Sequence, residues 1–203
     1  MLQNRVDPSG DLIRTSARGS WMGNRGLIHD EHQQVQRPFR LTAWLICVLE
    51  FKGRKRTVMS PGLYTELFFL DEAAAFSAGH RPCFECRREA ANRFKLLWIK
   101  GNPEYHFTEK TPIGEIDAIL HRERINRRGA KETFRAVLKD IPTGTFVSYE
   151  GKAYLVRNGL LYVWSPFGYG APIDLPEDSR LDVLTPRSTV QAFLMGYVPQ
   201  ITA

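Results

Sequence analysis

Residues 79–88, Gly-His-Arg-Pro-Cys-Phe-Glu-Cys-Arg-Arg, constrain this chain more than any other stretch. Two cysteines three positions apart on a proline-led turn aim both sulfurs at one point. That is half of a tetrahedral zinc site, or the working end of a redox dithiol. The preceding residues predict how the turn is held. Leu67 to Leu70 are continuously apolar, as in a buried strand. Asp71 can cap a helix by accepting from its free N–H groups, Ala73 to Ala78 propagate that helix, and Gly79 supplies the positive φ that ends it.

The same stretch, about residues 64–88, resembles the amino-terminal zinc module of the bacterial alkylation-response methyltransferase Ada. An aromatic-rich strand, an alanine-rich helix and a Gly-x-Arg-Pro-Cys-x-x-Cys turn follow one another there, and Gly79, Arg81, Pro82, Cys83 and Cys86 carry the match. The resemblance implies the local fold and part of a zinc site. It does not imply methyl transfer, because Lys52-Gly53-Arg54-Lys55-Arg56 stands where the family's first cysteine pair would fall. More loosely, the whole chain is similar to a bacterial family marked by Gly23-Asn24-Arg25-Gly26, this Cys-x-x-Cys and a C-terminal Leu-Thr-Pro-Arg-Ser-Thr, which implies no particular activity.

The chain's 203 residues suffice for one large domain or two small ones. With 43% hydrophobic and 25% charged residues the composition is that of a soluble globular protein. No apolar run approaches the length of a membrane span, and Met1 to Asp7 lack the apolar core of a secretory signal, so a cytoplasmic location is expected. Three cysteines fit metal binding in a reducing compartment better than a disulfide framework. The net charge of +6 resides wholly in residues 1–100, which hold 16 Lys/Arg against 10 Asp/Glu. Such an asymmetry suits an anionic partner, nucleic acid first, although plain solubility explains it too.

Completing a metal site requires further ligands. His29 and His32, just beyond the Gly23–Gly26 turn, are candidates as ligands or as a general base, or else ordinary turn histidines. Residues 42–51 form the strongest predicted strand, with Leu45, Cys47, Leu49 and Phe51 on one face. Cys47 is there a small core residue or a third ligand. The predicted metal set is Cys83, Cys86, His29 and Cys47, with His32 and His80 behind them. The basic turn Lys52, Arg54, Lys55 and Arg56, with Arg81, Arg87 and Arg88, is the predicted phosphate-contacting surface.

A helix is expected over 87–100, with Ala91, Phe94, Leu97 and Trp98 inward, then one from Thr111-Pro112 and another over 131–139. From Thr143 the pattern turns to strands at 145–149, 153–157 and 160–164, with Asn158-Gly159 a hairpin signal. An aromatic, glycine-rich loop at 165–172, a strand at 180–184 and a closing helix follow. The expected class is α+β: small mixed sheets with short helices, a β-meander in the C-terminal third and a zinc knuckle. The expected parts are a polar arm (1–20), a Cys-x-x-Cys subdomain (21–100), a helical connection (101–142) and a meander-plus-helix subdomain (143–203).

Three functions are compatible with these residues. The leading one is a zinc-stabilised protein that binds nucleic acid or another anion through its basic face. The second is a metal-dependent hydrolase or nuclease with Asp30, Glu50 or Glu66 as acidic partner, although no catalytic motif supports it. The third is a Cys-x-x-Cys redox protein.

Overall fold

The computed structural model describes residues 1–55, 57–126 and 128–202 and has the expected α+β class. Four helices and twelve strands are described, the strands in two six-stranded sheets.

The first sheet is mixed. Its strands are β1 (Gln3–Val6), β2 (Leu12–Arg14), β3 (Trp21–Asn24), β4 (Leu45–Cys47), β5 (Leu67–Phe69) and β6 (Arg81–Pro82), in the spatial order β2-β1-β5-β3-β4-β6. Pairing is parallel between β1 and β5 and between β4 and β6, and antiparallel elsewhere. The polar N-terminal segment is therefore not a loose arm. Asn4 and Val6 alternate inward, and Asn4 Nδ2 donates to the Glu66 carbonyl across 3.2 Å.

Between β5 and β6 lies α1 (Glu72–Ser77), every residue of which is buried. This explains its alanines. Ala73 and Ala74 pack with Phe146, Leu155 and Leu184 of the second sheet's neighbourhood, while Ala75 and Phe76 belong to the core of the first. A bulkier helix would not fit between them. Asp71 caps it as predicted, Oδ1 accepting from Ala74 N at 2.8 Å. Gly79 takes φ +85°, and a Cβ there would stand 2.5 Å from Arg124 Cδ. Packed on the same core are α2 (Arg88–Gly101), α3 (Ile113–Arg124) and α4 (Arg187–Leu194), through Phe94 and Trp98, Ile116 and Leu120, and Ala192 and Phe193. The closing helix thus joins the first core, although the meander precedes it in the chain.

The second sheet comprises β7 (Phe134–Val137), β8 (Phe146–Tyr149), β9 (Lys152–Arg157), β10 (Leu160–Ser165), β11 (Gly168–Ile173) and β12 (Arg180–Val183). It is antiparallel throughout, in the order β11-β10-β9-β8-β12-β7. Both hairpin turns of the meander put two consecutive residues at positive φ, Glu150-Gly151 and Asn158-Gly159, which matches the strands' twist. Two expectations fail here. Residues 131–139 hold β7, because Phe134 to Val137 pair with β12. The aromatic, glycine-rich segment holds β11, paired with β10, instead of an open loop. Among the described residues no helix is long and apolar enough to cross a membrane.

Two acidic residues at the start of α1 tie the sheets together. Asp71 Oδ2 accepts from Tyr169 Oη of β11 at 2.7 Å and from Thr202 N at 3.1 Å. Glu72 accepts from Arg87 Nη2 at 2.6 Å, Tyr197 Oη at 3.0 Å and Gln200 N at 2.9 Å. Burial raises the Asp71 pKa in spite of these donors, and pushes the Tyr169 and Tyr197 hydroxyls up as well.

Candidate metal centre

The three cysteines meet because β4 and β6 run parallel and stop at the same edge of the sheet. Ile46 is in register with Pro82, and Cys83 N donates to Ile46 O at 3.0 Å. Cys47, the last residue of β4, therefore lies beside Cys83, the first residue after β6. The chain then closes one turn, Arg87 N donating to Cys83 O at 2.9 Å, and this swings Cys86 back toward the other two. All three Sγ atoms lie within 4.8 Å of one another. Zinc–sulfur bonds of about 2.3 Å to tetrahedral corners require sulfurs only about 3.8 Å apart, so this cluster can hold a metal ion with little movement.

The sulfurs already sit in an anion-stabilising setting. Glu85 N donates to Cys83 Sγ at 3.4 Å. Hydrogen bonding from the Cys47 thiol, then from the N–H groups of Cys86 and Glu85, lowers the Cys83 pKa to about 5. Cys86 is lowered by the Cys47 thiol and by Val48 N–H. Cys47, donating to both, is raised correspondingly. Three sulfurs placed in this way form a donor set for a thiophilic cation, whose binding displaces the thiol protons.

The cluster borders a cleft of about 330 Å³. Met22, Leu45, Leu49, Phe51 and Phe68 contribute apolar walls, and Asn24, Arg54, Tyr64, Glu66 and Glu85 polar ones. Glu66 is buried, with Oε2 accepting from Met59 N at 2.8 Å. Of the three acidic candidates it alone lines the cleft. Asp30 instead closes a turn by accepting from His32 N and Gln34 N, and Glu50 is exposed away from the cleft lining.

His29 does not join the cysteines. Its ring is buried, with Nδ1 2.6 Å from Thr65 Oγ1 and Nε2 3.3 Å from Ser60 O, so both nitrogens are engaged elsewhere. His32 is exposed beside Glu31, and His80 is buried against Arg25. Among the described residues the ligand group consists of Cys47, Cys83 and Cys86.

The basic surface divides. Arg81 turns inward to a bidentate pair with Asp117 at 2.7 and 2.6 Å, and Arg87, partly buried, pairs with Glu72 and lies over the Trp21 ring. Neither is available to a phosphate. Lys52, Lys55 and Arg88 are exposed, as is Arg54, which pairs with Glu85 at 2.7 Å. Arg56 lies outside the described residues.

Sequence reasoning missed a second cationic centre. Arg25 and Arg124 each lie 3.8 Å from the centre of the Trp44 ring. Arg25 Nε donates to His80 Nε2 at 3.1 Å, Arg124 donates to Gly79 O, and Lys131 donates to Ser77 O. These cations meet the carbonyl end of α1, where the helix dipole favours positive charge. The signal was the Gly23-Asn24-Arg25-Gly26 segment, which reads as a tight turn and as a family marker but gives no sign that Arg25 is buried.

No protein-family model, curated protein or solved structure matches this chain.

Proposed function

We propose that the protein binds one zinc ion through the thiolates of Cys47, Cys83 and Cys86, and that the ion pins the ends of β4 and β6 to the turn that starts α2. The convergence of three sulfurs within 4.8 Å carries this reading. A redox dithiol needs two cysteines, and nothing in that chemistry calls for a third sulfur within reach. The Ada-like order of strand, helix and Cys-x-x-Cys turn supports the same reading, with Cys47 coming from a different part of the chain than the resemblance implies. A reducing compartment, the cytoplasm, keeps such thiolates available.

An anionic partner, nucleic acid first, is the finer part of the proposal. It rests on the exposed cations Lys52, Arg54, Lys55 and Arg88, the first three on the loop after β4. Arg81 and Arg87 take no part.

Elemental analysis of protein purified without added metal tests the first part. About one zinc per chain is expected in the wild type and in His29→Ala, and less than half of that in Cys47→Ser, Cys83→Ser or Cys86→Ser. Retention of full zinc by Cys47→Ser would remove the three-sulfur site. For the partner, four phosphate contacts on duplex DNA predict a log–log salt slope of about −3 to −4. Binding insensitive to salt, or none at low salt, would remove the anionic surface.

A further inference from the structure

We propose that the cleft above the cysteines is a ligand site built on the metal: it takes a small, mostly apolar organic molecule that donates a sulfur or ring nitrogen to the ion. This rests on the zinc-binding reading above. Three observations lead to it. The first is the ligand count. Among the described residues no His, Asp or Glu joins Cys47, Cys83 and Cys86, so a tetrahedral ion retains one corner for a donor from outside. A closed structural site would take all four ligands from the chain.

The second observation is where that corner lies. All three cysteines line the same cleft, so the ion and the cleft share a boundary. The third is the cleft itself. About 330 Å³ is the lower range of small-molecule sites and far exceeds the space of a single water. Met22, Leu45, Leu49, Phe51 and Phe68 make its walls apolar, so an organic body is held by burial while its donor atom reaches the metal. An ion already bound by three thiolates is soft, and prefers sulfur or imidazole-type nitrogen to carboxylate or phosphate oxygen. Of the phosphate-contacting cations proposed above, Arg54 borders this cleft, and Lys52, Lys55 and Arg88 lie outside its lining.

Cobalt(II) loaded into the full-length protein provides the readout, because its ligand-field bands respond to the fourth donor. Imidazole and benzimidazole share a donor and differ in apolar body; benzyl mercaptan tests sulfur; acetate and phosphate test hard oxygen. Benzimidazole and benzyl mercaptan should shift the bands, benzimidazole binding about tenfold more tightly than imidazole, with acetate and phosphate inert. Leu49, half-exposed at the cleft, tolerates replacement. Leu49→Asn should reduce the benzimidazole advantage over imidazole several-fold while one cobalt per chain is still bound. One cobalt per chain with bands that no donor moves would overturn the ligand site and leave the metal site standing. Equal affinity for benzimidazole and imidazole would remove the cleft from recognition. Absence of bound cobalt would overturn both this inference and the zinc reading.

Discussion

His80 is held neutral by its surroundings. It is buried, its Nε2 accepts from Arg25, and its ring packs against Trp44 and Phe69. Burial first, then the charges of Arg25 and Arg124, push its pKa well below the ordinary 6.5. Lys131 adds a third neighbouring cation, itself lowered to about 7 by burial and by Arg25. The unfolded chain takes up a proton on this histidine near pH 6.5, and the folded protein refuses it. This histidine's contribution to stability is therefore constant above that pH and falls as the pH drops below it, by at most about 1.4 kcal/mol per unit. In His80→Gln the amide oxygen still accepts from Arg25 and does not titrate. Urea midpoints at neutral pH and about pH 5.5 should show an acid-induced loss smaller by about 1 kcal/mol in the variant. An equal loss in both proteins would clear His80.

At the scale of elements, α3 is fastened to the cysteine-bearing edge by one buried ion pair. Arg81 and Asp117 are each only 5% exposed, so removing one charge strands the other. Asp117→Ala should cost about 3–5 kcal/mol in denaturant unfolding, while Arg81→Met with Asp117→Leu should recover most of that, since matched apolar groups replace such pairs well. A double variant as weak as the single would show that the pair contributes more than mutual neutralisation. The elements with strong local signals were legible in the sequence: α1 by its cap and glycine, α2 by apolar spacing, and the meander by its paired turns. Two failures share a cause. Phe134 to Val137 and Gly168 to Ile173 become strands only because β12 and β10 offer edges to them, which no local pattern records. The site divides in the same way. Cys83 and Cys86 announce themselves by spacing, whereas Cys47 reaches them through the non-local parallel pairing of β4 with β6. The nearness of His29 to Leu27 and Ile28 signalled burial, but not that Thr65 and Ser60 would occupy its ring. Arg81 and Arg87 read as surface charge because their carboxylate partners, Asp117 and Glu72, lie 36 and 15 positions away.

Across the whole molecule, Glu72 is where the parts become one body. Its carboxylate holds Arg87, next to Cys86, together with Tyr197 and Gln200 from the far end of the chain. Its neighbour Asp71 reaches β11. Hydrogen exchange should find the slowest amides of β4 and β9 opening together in the wild type. Glu72→Ala leaves the mostly covered Arg87 side chain without its carboxylate, a change of about 2–3 kcal/mol. It should release β4 and the cysteine turn at a lower free energy than β9. Equal lowering of both would mean that the sheets are joined elsewhere. The wiring also has a practical side. Cys86, Arg87, Glu72 and Gln200 form a continuous relay, so residues 199–202 act as a latch on the sulfur turn. A binding protein that lifts this segment would loosen the cysteine turn from a distant part of the chain, without touching a cysteine.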